Sequence, residues 1–330
     1  VLHQFQWEFE FNCTPAGPYT TAHIGEASSA FDGPAVRADT AGCELIEGLT
    51  TTETAVDVLT TGSYQWVDSA TYASDFPFDV RVGGETMTVT ALTGFVVDSF
   101  TRTVANAWGA PDVGATWSFA GGTSADYAVG SGYGSMTLPT LNVSRRTFFT
   151  AAHADSDTYV DVATNALATG ASLFGGPMAR QTDGNNLYMA RLEFTTAGAI
   201  ILTLRRRSAA VETQLAAFTT GLTHVAATFY RVRFQATGSA LRARVWAVGT
   251  QEPATWQVTA TDTTFATAQT IGCLGIAGTG NTNVSPQTRF DNFQVVNPQT
   301  MTVTRSVNGV VKSHLTGADI RLAVTPIVAL

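Results

Sequence analysis

Apolar and polar residues alternate along most of this chain, and that period decides what it can build. Tyr188, Ala190, Leu192 and Phe194 share one parity, and Met189, Arg191 and Glu193 the other. Tyr230, Val232 and Phe234 oppose Arg231, Arg233 and Gln235. Leu241, Ala243, Val245 and Ala247 oppose Arg242, Arg244 and Trp246. A period of two is that of a half-buried strand, because successive side chains leave opposite faces of a sheet. Ile200 to Leu204 reads as a further strand, leading into Arg205-Arg206-Arg207. Gly, Asn and Asp punctuate these runs as turns require. Asn308-Gly309, flanked by Val307 and Val310, predicts a two-residue type I′ hairpin. Long amphipathic helices are absent from the pattern, and residues 263–269 are expected to form one short helical turn. Many strands with few helices mean an all-β sandwich or jelly roll.

The pentapeptide Thr-Met-Thr-Val-Thr occurs at 86–90 and again at 300–304. Charge divides the chain at the same places. The whole carries 18 basic and 26 acidic residues, a net charge of −8. Residues 1–95 hold 13 acids and two Arg, residues 96–297 hold 12 acids and 13 Arg, and residues 298–330 hold one acid and three bases. The simplest topology joins 46–95 and 298–330 into one small discontinuous β domain, with 96–297 inserted into a loop of it. Such insertions succeed where a surface loop opens and the insert's termini lie close together. The 33 C-terminal residues alone make too small a core to stand as a separate bead.

The acidic balance argues against a nucleic-acid partner, which usually calls for a basic excess. Hydrophobic residues at 45% exclude a disordered acidic tail. Seventeen of the 18 basic residues are Arg, with Lys312 the exception, an imbalance that points to a high-GC genome rather than to folding. The chain begins without Met and inside an alternating run, Phe5 to Phe11, so it reads as a fragment or a processed product. Neither a signal peptide nor a run of roughly 18–20 apolar residues is present. Three Cys (13, 43 and 273) at wide spacing fit neither a zinc site nor a disulfide framework. They read as buried free thiols, with Cys13–Cys43 as the one pairing conceivable.

The chemistry of an enzyme is hard to find. There is no G-x-S-x-G, no H-E-x-x-H and no E-x-D-x-E; Glu193, Glu212 and Glu252 are isolated, and the five His are scattered. Gly130-Ser131-Gly132-Tyr133-Gly134 precedes no helix and reads as a loop rather than a phosphate cradle. The chain is therefore read as non-catalytic. A ligand face is easier to place. Arg242, Arg244 and Trp246 share one strand face, and Arg231 and Arg233 share the polar face of the preceding strand. If the strands pair, these five form one surface. Sugars stack on aromatic rings, and Arg binds carboxylate or phosphate bidentately. A solvated sheet face is the other reading of the same residues. Trp256 is expected to pack over its own loop, and Trp108 and Trp117 to lie in the core.

Several segments resemble known proteins. Phe5–Tyr19 (FQWEFEFNCTPAGPY) looks like the end of a hub-type domain in minor tail proteins of siphophages that infect high-GC Gram-positive bacteria. Residues 76–92 (FPFDVRVGGETMTVTAL) and 298–314 (PQTMTVTRSVNGVVKSH) resemble the small β domain that follows it there. DSFTR (98–102), Trp108, Trp117, RVWAVGTQEPATW (244–256) and FDNFQV (290–295) resemble a concanavalin/laminin-G-like jelly roll. The resemblance implies three parts: 1–45 as the end of the hub domain, 46–95 with 298–330 as the small β domain, and 96–297 as the jelly roll. It implies a virion tail-tip protein that acts at the host-cell exterior, assembles with other tail proteins as a homotrimer, and binds a host cell-wall glycan or acidic polymer. A purely architectural decoration and a cell-wall polysaccharide hydrolase are the alternatives. Jelly rolls of this type often hold a structural Ca²⁺ between first and last strands, which implicates Asp98 and Asp291.

Overall fold

The computed structural model describes residues 42–60, 66, 68–70, 72–150, 154–268 and 270–323. The expectations for Phe5–Tyr19, for Cys13 and for most of the 1–45 segment lie outside the described residues. The chain forms two compact units. One combines the segment ending at Gly94 with the segment beginning at Asn297, and the other runs Phe95–Val296. Among the described residues the only helical elements are two short 3₁₀ turns, Ala73–Asp75 and Ser124–Asp126. No helix of the described residues is long and apolar enough to cross a membrane.

Strands are numbered in chain order. The first four are β1 (Cys43–Leu45), β2 (Ala55–Thr60), β3 (Phe78–Val82) and β4 (Glu85–Asp98). Then follow β5 (Val104–Ala105), β6 (Ser118–Ala120), β7 (Tyr127–Gly130), β8 (Tyr133–Thr137), β9 (Arg145–Thr150), β10 (Ser156–Thr164) and β11 (Leu173–Asp183). The remainder of the insert is β12 (Asn186–Phe194), β13 (Ala199–Ser208), β14 (Val211–Thr223), β15 (Tyr230–Thr237), β16 (Ala240–Ala247), β17 (Val258–Thr261) and β18 (Thr270–Ala277). The chain closes with β19 (Gln287–Thr304) and β20 (Ile320–Leu322).

In the smaller unit, β1 pairs with β2, β2 with the second half of β19, and β20 with β3, which forms a hairpin with β4. The hairpin turn is Gly83-Gly84, both at positive φ, where a side chain would be strained. Met87 and Val89 of the first Thr-Met-Thr-Val-Thr, and Met301 and Val303 of the second, enter one core with Val58, Val80 and Ile320. The repeat is thus two strands offering the same parity to the same interior. Cys43 and Cys273 are buried free thiols. Burial pushes the Cys43 thiol up to about 12, while Trp66 donates its indole N–H to the sulfur (3.1 Å).

The hairpin predicted at Asn308-Gly309 is not formed. β19 ends at Thr304, and the next strand, β20, begins only at Ile320 and pairs with β3 rather than with β19. The Asn308 side chain is spent elsewhere: its carbonyl accepts from Thr86 N (3.1 Å) and its amide donates to Gly84 O (2.9 Å). That docks 306–309 on the Gly83-Gly84 turn instead of folding it back on itself. A two-residue turn with both φ positive occurs instead at Ser131-Gly132, joining β7 to β8. The helical turn expected at 263–269 is also absent; residues 264–267 are bends. Asp262 Oδ1 accepts from Thr264 N (2.8 Å) and Tyr188 Oη accepts from Phe265 N (3.1 Å), which uses the donors in another geometry.

One buried ionic knot ties the two sequence segments of this unit together. Glu85 is fully buried and receives Arg305 Nε (2.6 Å) and Nη2 (2.8 Å) together with His314 Nε2 (2.9 Å). Arg305 donates further to Thr50 O, Glu53 O and Lys312 O. Burial alone would raise the Glu85 pKa; the Arg305 and His314 hydrogen bonds instead hold it at about 2.

The larger unit is a two-sheet antiparallel sandwich. One sheet runs β17-β16-β15-β10-β19, continued by β8, β7 and β5; the other runs β14-β13-β12-β11-β18-β9-β6. The alternating residues meet between them: Tyr188, Ala190, Leu192 and Phe194 from β12, and Tyr230, Val232, Phe234, Leu241, Ala243 and Val245 from β15 and β16. Trp108 and Trp117 sit in this core in edge-to-face contact (5.2 Å between centroids), with Phe293 against Trp117 (5.0 Å).

Truncating Arg305 leaves a buried carboxylate unpaired, so Arg305→Ala is expected to cost the smaller unit about 3–5 kcal/mol, measured by denaturant unfolding. A carboxyl whose pKa is depressed on folding stabilises above its unfolded value and loses that contribution as pH falls through the folded value. Wild type should therefore lose stability from the ordinary glutamate range near 4.5 down toward about 2. In Glu85→Gln this component should be missing.

Candidate ligand site

Register brings the five predicted residues onto one outer face. Asp161, Arg231 and Trp246 stand in one row across β10, β15 and β16; Tyr159, Arg233 and Arg244 form the next; Asp157, Gln235 and Arg242 the third. The row partners explain what the sequence leaves hidden. Arg231 makes a two-pronged bond to the buried Asp161 (2.6 and 2.8 Å). Arg233 reaches Asp157 (2.6 Å) and Glu252 (3.0 Å), and Arg244 reaches Glu252 (2.8 Å) and Pro253 O. Arg242 donates to Gln235 Oε1 (2.5 Å).

The loop after β16 lies across this face. Glu252 accepts from Arg233 and from Tyr159 Oη, and the Trp256 ring carries the guanidiniums of Arg244 (4.0 Å), Arg242 (4.7 Å) and Arg233 (5.2 Å). Trp246 is only 7% exposed and packs edge-on against Tyr159. The face is therefore largely an internal lattice of alternating charge, with Trp256 rather than Trp246 as the ring under the arginines.

Asp98 and Asp291 part company as calcium ligands. Asp98 is fully buried and accepts four hydrogen bonds: Arg102 Nη1 (2.6 Å), Arg102 Nη2 (2.8 Å), Phe100 N (2.9 Å) and Trp117 Nε1 (2.7 Å). The Arg102 guanidinium takes the position a cation would need, and the remaining lone pairs are already engaged. Asp291 accepts from Asn292 N (2.7 Å) and Nδ2 (3.2 Å). Its pKa is pushed up to about 6, chiefly by burial and further by the charge of Asp161. Calcium takes six to eight oxygens. Among the described residues no group of three or more His, Cys, Asp or Glu is placed to hold a metal. The Asp98 oxygens are thus taken up by protein donors, and those of Asp291 are engaged by Asn292.

The other outer face, that of the seven-stranded sheet, is built differently. It carries a separate apolar cluster of Met178, Leu187, Met189, Leu274 and Ile276. Beside it is a hollow of about 330 Å³ lined by Phe174, Arg191, Arg207, Asn142, Ser144 and Ser172, among others. Arg191 lies over the Phe174 ring (4.3 Å) and pairs with Glu212 (2.9 Å), which Arg205 also holds (2.9 Å). Burial lowers the Arg191 pKa to about 10, partly offset by Glu212. Glu193 accepts from Ser172 Oγ (2.8 Å). The sequence does carry a signal for this face, because Arg205 and Arg207 share a parity with Arg191 across β12 and β13. What alternation cannot show is which of the two outer faces stays open.

No family profile matches this sequence, and no curated protein matches it. Solved structures do resemble part of the chain. A carbohydrate-binding module of Bacillus subtilis is 13% identical, over 54% of this chain and 94% of its own, with a TM-score of 0.39. A legume lectin-like domain from Entamoeba histolytica is 9% identical, over 55% and 89%, with a TM-score of 0.40. A β-glucanase of Bacillus licheniformis is 14% identical, over 63% and 98%, with a TM-score of 0.42. The larger unit's own strand order is that of an all-β, antiparallel two-sheet sandwich. What those proteins bind or cleave belongs to them.

Asp98→Ala should destabilise the larger unit by about 3–5 kcal/mol, because Arg102 loses its buried partner. Chelation with EDTA should leave its Tm unchanged, and a fall of several degrees on chelation would contradict the assignment of Arg102 as the counter-ion.

Proposed function

We propose that this chain is a structural tail component of a siphophage that displays its jelly-roll unit to bind host-surface carbohydrate. The observation that carries the binding half of this reading is the hollow on the seven-stranded sheet. It has the half-buried Phe174 ring, and a rim of Asn142, Ser144 and Ser172 with two guanidiniums. Sugars offer both an apolar ring face and a fringe of hydroxyls, and a pocket of an aromatic with a few convergent polar groups is complementary to both. The tail half rests on the resemblance of 76–92 and 298–314, two segments far apart in sequence whose Met87, Val89, Met301 and Val303 share one core. On this reading the partners are other tail proteins and further copies of the chain as a homotrimer. Its place is the virion tail, at the host-cell exterior during adsorption.

Binding without hydrolysis is the part of the proposal that the carboxylates support. A glycosidase needs two carboxyls free to exchange protons across the scissile bond. Here Glu212 is clamped by Arg191 and Arg205, Glu193 is held by Ser172, and Glu252 is tied to Arg233, Arg244 and Tyr159. The face of Arg231, Arg233, Arg242, Arg244 and Trp246 enters the proposal as a secondary contact, through Arg231, whose side chain is 34% exposed. A purely architectural role is the competing outcome.

The full chain applied to a glycan array and to host wall material should bind. Phe174→Ala, shown by thermal unfolding to stay folded, should weaken that binding about fivefold. Absence of binding to every glycan and to wall material would leave the architectural reading in its place.

A further inference from the structure

Among the described residues, four arginines of the larger unit make no salt bridge: Arg242 and Arg289 donate to the glutamines Gln235 and Gln287, and the other two are neighbours of each other. Arg146 of β9 and Arg207 of β13 have no salt-bridge partner among the described residues, whereas Arg145 and Arg206, next to them in sequence, are paired with Asp126 (2.8 Å) and Asp262 (2.7 Å). Nε and Nη1 of Arg146 and Nε of Arg207 are buried without an acceptor. Burial lowers the Arg146 pKa, and the Arg207 charge lowers it further. Two like charges are thus held close together in a partly desolvated place.

A Cβ at Gly184, in the β11–β12 turn, would fall 2.5 Å from Nη1 and Nη2 of Arg146, so the glycine leaves the guanidinium room to lie against this turn. Arg207 lines the hollow itself, with Asn142, Ser144 and the Arg-clamped Glu212, and Ser144 is two residues before Arg146 on the same stretch of chain. Nearby carboxylates do not neutralise the pair. Glu212 is shared between Arg191 and Arg205, and Glu193 accepts from Ser172. Asp183, which also acts on Arg146 electrostatically, accepts from Asn185 N (2.6 Å) and Asn186 Nδ2 (2.8 Å).

Resting on the carbohydrate-binding reading, we propose that this hollow selects acidic saccharides, holding a carboxylate or phosphate group between Arg207 and Arg146. An anion there would satisfy buried N–H donors and relieve the repulsion between the two guanidiniums in one step. Charge-assisted bonds to planar guanidiniums are the strong and orienting kind. Asn142, Ser144, Ser172 and Phe174 would then take the sugar ring.

The test uses the full chain and three soluble polymers: polygalacturonate, poly(glycerol phosphate) and a neutral galactan. Affinity electrophoresis at low salt should show at least one acidic polymer bound about tenfold more tightly than the galactan. Which acidic polymer is preferred tells carboxylate from phosphate. Arg207→Gln and Arg146→Gln should each weaken acidic binding about tenfold and galactan binding by a much smaller factor, while Arg81→Gln, an exposed arginine of the other unit, should change neither. If a Gln variant fails to fold, wild type still decides: its affinity for the acidic polymer should fall as salt is raised, and galactan binding should not. Equal affinity for acidic and neutral polymers, or Gln variants that bind acid as wild type does, overturns the inference and leaves carbohydrate binding standing. Binding to none of the three, nor to any arrayed glycan, removes the carbohydrate reading itself.

Discussion

Guanidinium–carboxylate pairing governs where charge can enter this all-β chain. Charged residues are 13% of the sequence, about half the usual share, and much of that charge is placed inside rather than on the surface. A lone ion in such an interior is costly, and its partner must arrive with good geometry. Nine of the 13 arginines in the larger unit make a salt bridge. In the smaller unit Arg305 closes on Glu85, joining a strand near residue 85 to one near residue 305. That pairing joins the two segments of the discontinuous unit beside their shared apolar core.

The same rule sorts the two outer faces of the sandwich. On the face of β10, β15 and β16, each strand supplies the partner for its neighbour, and the loop bearing Glu252 and Trp256 completes the lattice. Charge there is balanced internally, and the donors of Arg233 and Arg244 are committed. On the seven-stranded face the balance fails at Arg146 and Arg207, beside a hollow of about 330 Å³. Structural and ligand-binding arginines have the same sequence signature. Only their acceptors distinguish them.

That is also the limit of what the sequence discloses. Period-two alternation is enough to place Tyr188, Leu192, Val232 and Ala243 in the core, and to put Arg231, Arg233, Arg242, Arg244 and Trp246 on one face. It cannot tell that Asp157 and Asp161 lie in the facing rows, because their partners Arg233 and Arg231 stand 76 and 70 residues away. Nor can it tell that a loop returns over the face. Asn308-Gly309 shows the complementary failure. The dipeptide favours a tight turn locally, but hydrogen bonds from a turn more than 220 residues away claim its side chain. Asp98 was readable as a hard oxygen ligand and equally as a partner of Arg102, four residues on. Its burial beneath Trp117, with four donors, decides between them.

The central claim is that the adjoining Arg146 and Arg207, which have no carboxylate partner among the described residues, mark the functional face. A crystal structure of the full chain with a short oligogalacturonate or glycerol-phosphate oligomer tests it most directly. The account predicts the acidic group about 3 Å from guanidinium nitrogens of Arg207 and Arg146, with the adjoining sugar or glycerol unit against Phe174. A ligand seated instead on the Arg231, Arg233, Arg242, Arg244 and Trp246 face would contradict it.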